Sequence, residues 1–323
     1  MPLPNDLEQE AKDYLTGDID WRTKRAGELG FNNRESYQRA MRKKSINLVV
    51  PAGGTIPLVV GENSGWEAEE VNIPLKIKTG AEPKTVAIVQ DLHVPYHDAT
   101  ALALVEGFLG EIQPDYLLYP GDVYDFYAIS DFDKNPNRLG KMQEELDITK
   151  MILERHNALL PKTIKKLLLG NHEDRLRRFL WTKAPELATL RCLTIEELLG
   201  LKNLDIELIA YEQGLMINDV FLVLHGNIAS IHSGYTAKRM YEKHGGCGIC
   251  GHCHRLGSYY KRDRFGIWGW WENGCICHLN PDWIKNPNWV QGFSLVHFQD
   301  DRFWVEQVPI IKGKFMYGGR IYG

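Results

Sequence analysis

Five short segments of this chain carry acidic, amide and imidazole side chains at spacings that suit metal-ion chemistry. They are Asp91-Leu92-His93, Gly121-Asp122-Val123-Tyr124-Asp125, Gly170-Asn171-His172-Glu173, His225-Gly226 and Gly251-His252-Cys253-His254. Together they hold five of the chain's eleven histidines. Imidazole nitrogen and carboxylate oxygen suit Zn, Mn or Fe(II), and an amide carbonyl suits harder cations. One carboxylate can bridge two ions about 3.5–4 Å apart, close enough to share a hydroxide and clamp one phosphate. The glycines let the backbone turn sharply and keep a pocket floor open. Taken singly, each motif reads as an ordinary turn, and His252-x-His254 alone is as much a strand end as a ligand pair. Five in this order, each after an expected strand, point to one site.

The elements that must position these residues alternate. Short apolar runs bounded by polar turns predict strands over Thr85–Gln90, Tyr116–Tyr119, Lys166–Leu169, Asp205–Tyr211, Val220–Leu224 and Gly248–Cys250. A late hairpin is predicted over Gly292–Phe298 and Arg302–Val308, turning at Asp300–Asp301. Helices are predicted over Ala99–Glu111, Leu139–Leu159, Asp174–Trp181 and Ile195–Leu199. The order βαβαβα followed mostly by β argues a layered α/β domain. In such sheets ligand crevices form at the strand ends, where the five motifs fall. Residues 1–50 are polar and helical in pattern, and 51–83 are a Gly- and Pro-rich linker or small strand-bearing connector. The catalytic domain is expected over 84–323.

DLH, GDVYD, GNHE, HG and GHCH resemble the signature of the calcineurin-like metallophosphoesterase superfamily over roughly residues 84 to 310. The resemblance implies a four-layer sandwich of two mixed β-sheets flanked by helices. It implies a first metal on Asp91, His93 and His254, a second on Asn171, His225 and His252, and Asp122 bridging them. His172 would protonate the leaving oxygen or stabilise its charge, Asp125 would orient His172, and a metal-activated water would attack phosphorus. Mn²⁺ is favoured, with Fe²⁺ and Zn²⁺ equally compatible with the ligands. Two branches of the superfamily are set aside. The protein Ser/Thr phosphatases follow the GD motif with Asp-Arg-Gly, whereas Phe126 follows Asp125 here. The purple acid phosphatases place a Tyr ligand where this chain has Asp125. Phosphodiesterases, nucleases and small phosphatases remain.

Residues flanking the motifs bear on substrate. Arg175 and Arg255 are candidate phosphate contacts, whereas Arg177 and Arg178 read as a solvated face. Cys247-x-x-Cys250-x-x-Cys253 and Cys275-x-Cys277 admit a zinc or redox reading, but buried small hydrophobes are the stronger one. Trp268, Trp270 and Trp271 alternate as a half-buried strand and read as core more than as a base-stacking platform.

The chain has 323 residues and a net charge of −4, which excludes a uniformly cationic nucleic-acid coat but not a local basic patch. No apolar run approaches the ~18 residues of a membrane span. The start, MPLPNDLEQEAKDY, lacks the apolar stretch of a secretory signal, and six cysteines are too few for a disulfide scaffold. A reducing cytoplasm is therefore expected. Residues 21 to 44 carry eight Lys or Arg against two acids. Two helices broken at Gly30, with Asn33 as a cap, resemble a helix-turn-helix. Arg22, Lys24, Arg25, Arg34 and Arg39 are its candidate DNA or RNA contacts, unless the pair is a solvated hairpin that docks on protein. The expected function is a two-metal phosphoesterase acting on phosphodiesters, nucleic acid first. The alternatives are an enzyme of small nucleotides or other small esters, and a binding module with a structural metal. Oligomeric state is left open.

Overall fold

The computed structural model describes Lys24, Arg25, Glu28 and residues 72–135, 142–281 and 284–323. The chain divides into two compact units, Met1–Trp66 and Glu67–Gly323. In the first, Lys24, Arg25 and Glu28 are helical, and Arg25 pairs with Glu28 one turn on at 3.1 Å. The rest of the basic helical module, including Arg22, Arg34 and Arg39, lies outside the described residues, as does the connector up to residue 71.

The second unit is built on two six-stranded sheets. The first sheet contains β2 (Lys84–Ile88), β3 (Tyr116–Pro120), β4 (Ile164–Leu168) and β5 (Ile206–Ile209), all parallel. Helix α1 (Ala99–Ile112) connects β2 to β3, α2 (Met142–Leu159) connects β3 to β4, and α3 (Asp174–Lys183) and α4 (Ile195–Leu199) lie between β4 and β5. The hairpin β11 (Gly292–Gln299) and β12 (Arg302–Pro309) adds antiparallel beside β2. The second sheet runs β1 (Ile73–Leu75), β6 (Leu215–Ile217), β7 (Phe221–Leu224), β8 (Cys247–Cys250), β10 (Gly266–Glu272), β9 (Gly257–Asp263). Helix α5 (Tyr235–His244) makes the crossover between parallel β7 and β8. A short ribbon, β13 (Phe315–Tyr317) and β14 (Arg320–Tyr322), ends the chain. The connector thus contributes one edge strand, β1, paired with β6.

Strand periodicity builds the layers. Val86 and Ile88 of β2 face the second sheet and pack with Phe221, Val223, Ile249 and Trp271. Ala87 and Val89 face the other way, into the helical layer with Leu102, Val105 and Leu153. On the far side Leu222, Cys250 and Trp270 meet Ala237 and Met240 of α5. The order helix, sheet, sheet, helix is the four-layer sandwich expected. Trp270 and Trp271 are core, as expected, but on opposite faces of β10, so this end of the strand is buried on both sides and not half-buried. No helix of the described residues is long and apolar enough to cross a membrane.

Five elements were not anticipated: β6, β9, β13, β14 and α5. The apolar stripe of α5 is only Ala237 and Met240 with Thr236 beside them, too narrow for a clear helical period. Strand β9 lies on the sheet edge with Ser258, Tyr260, Lys261 and Arg262 exposed, so it lacks a buried alternation.

Helices α1 and α2 are tied to β3 by a buried polar chain. Glu106 accepts from Arg155 Nε at 2.9 Å and faces His156 Nε2 at 2.8 Å, and His156 Nδ1 meets the Tyr119 hydroxyl at 2.6 Å. Burial would raise the Glu106 carboxyl, but the hydrogen bonds from His156 and Arg155 outweigh it and hold the group below its ordinary range. A lowered carboxyl stabilises the fold above its unfolded-state value and loses that contribution as pH falls through the folded one. Glu106→Gln is therefore expected to cost about 1–2 kcal/mol near neutrality. The deficit should shrink in urea titrations carried below the ordinary carboxylate range, and a pH-independent deficit would contradict this account.

Candidate metal centre and cleft

All five motifs sit at carboxyl ends of parallel strands. Asp91 follows β2, Asp122 follows β3, Asn171 follows β4, His225 follows β7, and His252 and His254 follow β8. Both sheets therefore point their strand ends at one place. The turns are tight: Asp91, His93, Asp122, His252 and His254 all have positive φ, between 50° and 68°. A non-glycine residue there costs of order 1–2 kcal/mol, so the strain is concentrated in the residues that converge. The loops are laced together by backbone bonds from His93 N to Asp122 O at 2.9 Å and from Gly251 N to His225 O at 2.9 Å. Gly170 is required by space, since a Cβ there would stand 2.2 Å from Asp122 Oδ1 and 2.6 Å from Asp122 N.

The seven residues expected to bind metal are brought together. Ligand atoms of Asp91, His93, Asp122 and His254 lie within 4.8 Å of one another, and so do those of Asp122, His225 and His252. Asp122 is common to both groups. Asn171 joins the second: its Oδ1 is 2.9 Å from His225 Nε2 and 2.8 Å from His252 Nδ1.

This donor set fits cations. Asp91 and Asp122 are 0% and 1% exposed, and Asp91 Oδ1 is buried with no hydrogen-bond partner. His93 Nε2 and His254 Nε2 face each other at 3.0 Å, a contact that two lone pairs cannot make without a proton or a cation between them. The buried charges shift their neighbours accordingly. Burial would lower His225, yet the Asp122 carboxylate outweighs it and pushes the imidazole up to about 9. Burial and the adjacent His225 take His252 down to about 4. A cation in place of the His225 proton satisfies the same carboxylate and frees the nitrogen as a ligand.

Asp125 and His172 stand beside this group. Asp125 Oδ2 is 3.1 Å from His93 Nδ1 and 3.1 Å from His172 Nδ1. One carboxylate thus orients a ligand histidine and the expected acid together. Burial would raise Asp125, but the hydrogen bonds from His172 and His93 hold it far below the usual carboxylate range. With Nδ1 held by Asp125, His172 turns Nε2 toward the centre, 3.7 Å from Asp122 Oδ2. Burial opposes its charge, but Asp122 and Asp125 raise the imidazole above its ordinary value.

The two arginines are closely placed but engaged. Arg175 donates to Asp125 Oδ1 at 2.9 Å and to the Asp125 carbonyl at 2.6 Å, and its Nη2 is 3.2 Å from His172 Nε2. Arg255 donates to the Cys253 carbonyl at 2.8 Å. Arg177 is tied up by Asp174 and Glu212, and Arg178 is exposed, 3.7 Å from Asp131. Arg175 and Arg255 line a cleft of about 1380 Å³ that opens over the metal-ligating residues. Phe132 and Ile231, 75% and 78% exposed, also line it, and Trp289 sets its ring edge against His254 at 4.2 Å.

Two acidic residues were not singled out from sequence. Glu173 is buried and accepts from the backbone N–H of Asp122 (2.9 Å), Val123 (2.7 Å) and Gly170 (2.7 Å). It pins two motif loops together, and burial together with the Asp122 charge pushes its carboxyl up to about 7. The trailing Glu of GNHE was a visible signal without an assigned purpose. Glu145 of α2 accepts from Phe126 N at 2.6 Å, fixing the left-handed turn after Asp125 (φ 52°). No motif marks Glu145.

A model of the calcineurin-like phosphoesterase family matches residues 84–319. The Gene 54 proteins of Mycobacterium phages L5 and D29 are each 24% identical over 259 residues, covering 74% of this chain and 98% of each relative. Among solved structures, Vps29 of Entamoeba histolytica complexed with zinc is 14% identical, covers 72% of this chain and 96% of its own, and gives a TM-score of 0.40. YfcE, a phosphoesterase from E. coli, is 14% identical, covers 70% and 100%, and gives a TM-score of 0.34.

Glu173→Gln places an amide N–H₂ against backbone donors that now share a carboxylate. Metal affinity, read by calorimetric titration, is expected to fall about 10–100-fold, as for other groups that orient ligands. Unchanged affinity would show that the loops hold their positions without Glu173.

Proposed function

This chain belongs to the calcineurin-like phosphoesterase family, and from that premise we propose that it hydrolyses phosphodiester bonds, with nucleic acid as its leading substrate. Members of the family are metal-dependent phosphoric ester hydrolases, so the non-catalytic reading is set aside. In this proposal Asp91, His93 and His254 hold one divalent ion, Asn171, His225 and His252 hold the other, and Asp122 serves both. Mn²⁺ is the favoured occupant. When bound, the ions supply Lewis-acid polarisation of the phosphoryl oxygens and a more acidic attacking water.

The protein's own part is binding and proton movement. His172, whose imidazole Asp122 and Asp125 raise above its ordinary value, gives its Nε2 proton to the leaving oxygen. Asp125 holds Nδ1 so that Nε2 faces the reacting ester. Arg175 turns from His172 Nε2 toward a non-bridging phosphate oxygen when substrate enters, still anchored on Asp125. Arg255 contacts phosphate from the other motif.

The observation that carries the diester reading is the cleft. At about 1380 Å³ it exceeds the ~300–1,000 Å³ of typical small-molecule sites. Exposed apolar residues on its rim, Phe132 and Ile231, and the ring of Trp289 offer surfaces for unstacked bases. The basic stretch carrying Arg22, Lys24, Arg25, Arg34 and Arg39 supplies phosphate contacts without sequence choice. We place the protein in the cytoplasm, where its thiols stay reduced.

The test compares bis-p-nitrophenyl phosphate, p-nitrophenyl phosphate and single- and double-stranded DNA with added Mn²⁺. A nitrophenolate leaves without a proton, whereas a sugar alkoxide needs one. His172→Ala is therefore expected to leave bis-p-nitrophenyl phosphate turnover within a few-fold while lowering DNA hydrolysis about 10²–10⁴-fold. Equal losses on both would remove His172 as the acid, and activity confined to the monoester would assign the site to small phosphate esters. Replacing the five basic residues by Ala should flatten the dependence of log K on log salt, by about 0.7–0.9 for each phosphate that is no longer neutralised. An unchanged slope would make the segment a protein-docking element.

A further inference from the structure

Behind the metal-ligating residues the fold gathers two thiols that the proposed reaction does not use. Cys275 and Cys277, on the segment after β10, are 0% and 2% exposed. Their sulfurs and one imidazole nitrogen of His254 all lie within 4.8 Å of one another. Sequence spacing alone favoured buried small hydrophobes here, because the partner histidine is twenty-odd residues away and on another strand end.

The two ring nitrogens of His254 have different surroundings. Nε2 points at the metal-ligating group, 3.0 Å from His93 Nε2 and 3.6 Å from Asp91 Oδ1. Nδ1 is buried with no hydrogen-bond partner. A ligating histidine ordinarily gives its second nitrogen to a carboxylate, a carbonyl or water. His93 does so with Asp125 at 3.1 Å, and His225 does so with the Pro120 carbonyl at 2.8 Å. His254 departs from the pattern, and the side chains in reach are thiols, which are weak acceptors. Leaving a buried ring nitrogen unsatisfied is unfavourable, and a bound ion would satisfy it once that nitrogen had given up its proton.

We propose that Cys275, Cys277 and His254 Nδ1 form a third metal site that takes a thiophilic ion such as Zn²⁺ or Cu⁺, sharing His254 with the catalytic pair. Loading the site would release the two thiol protons and the Nδ1 proton to solvent, and two thiolates with a bridging imidazolate make a donor set softer than the mixed nitrogen and oxygen ligands next to it. Three protein donors leave the fourth tetrahedral position open. Cys277 also lines the cleft, so the ion has a way in. The site stands on the thiols and His254, whatever the ester substrate proves to be.

The test is titration of the metal-stripped, phosphine-reduced full chain with Co²⁺, followed by absorption. Nitrogen and oxygen sites give visible d–d bands, and only thiolate ligation adds an intense near-ultraviolet charge-transfer band. The wild type should show that band and lose it when Zn²⁺ is added. The Cys275→Ser/Cys277→Ser double variant should lack it while keeping the visible bands, which also reports that the variant is folded. No charge-transfer band in the wild type at saturating Co²⁺, or a band retained in the double variant, overturns the proposal.

Discussion

Asp91 and Asp122 are carboxylates placed almost wholly out of water at the ends of adjacent parallel strands, and most of the surrounding structure answers that desolvation. An unpaired buried carboxylate costs several kcal/mol even after relaxation. Four imidazoles from both sheets close on the pair: His93 after β2, His225 after β7, and His252 and His254 after β8. Protons on those imidazoles can balance the charge, and cations balance it while taking the lone pairs that face one another as ligands. The left-handed backbone at five of the converging residues is the strain this convergence demands. The packed sheets on either side hold it in place.

A second tier of carboxylates keeps the first in register. Glu173 takes backbone N–H groups from the loops after β3 and β4, and Glu145 fixes the turn after Asp125. Asp125 reaches His93, His172 and Arg175 at once. A displacement of Asp125 would disturb His93, His172 and Arg175 together, and with them the proposed metal ligand, acid and phosphate contact. That coupling is why a site on loops can be precise: buried carboxylates tie the loops after β2, β3 and β4 to one another and to α2.

Much of this was legible before the fold was known. The strands β2, β3, β4, β7 and β8 are short, largely apolar runs that lead into Gly, Asp or His, and Val86 to Val89 are buried without a break because both faces of β2 are covered. The convergence of the seven candidate ligands was readable because their motifs follow those strands in order. Glu145 was not, since its partner Phe126 N lies nineteen residues away and leaves no local trace. The proximity of Cys275 and Cys277 to His254 was hidden for the same reason: the relevant neighbour comes from a different strand end. Helix α5 and edge strand β9 were missed because each buries too few side chains to impose a period. Arg175 was read as a phosphate contact, and the structure shows it bonded to Asp125, a partner that the sequence did not reveal.

The cleft connects this architecture to substrate. Its lining joins the charged metal-ligating residues to exposed apolar side chains such as Phe132 and Ile231, which suits an ester whose phosphate meets the former and whose flanking groups meet the latter. The proposed function depends on two ions sharing Asp122. The most direct measurement is electron paramagnetic resonance of the full chain loaded with Mn²⁺. Ions held on opposite sides of Asp122 are close enough to couple, so the spectrum should show exchange-coupled manganese at full loading. Only the hyperfine pattern of isolated ions, at every loading, would contradict the account at its centre.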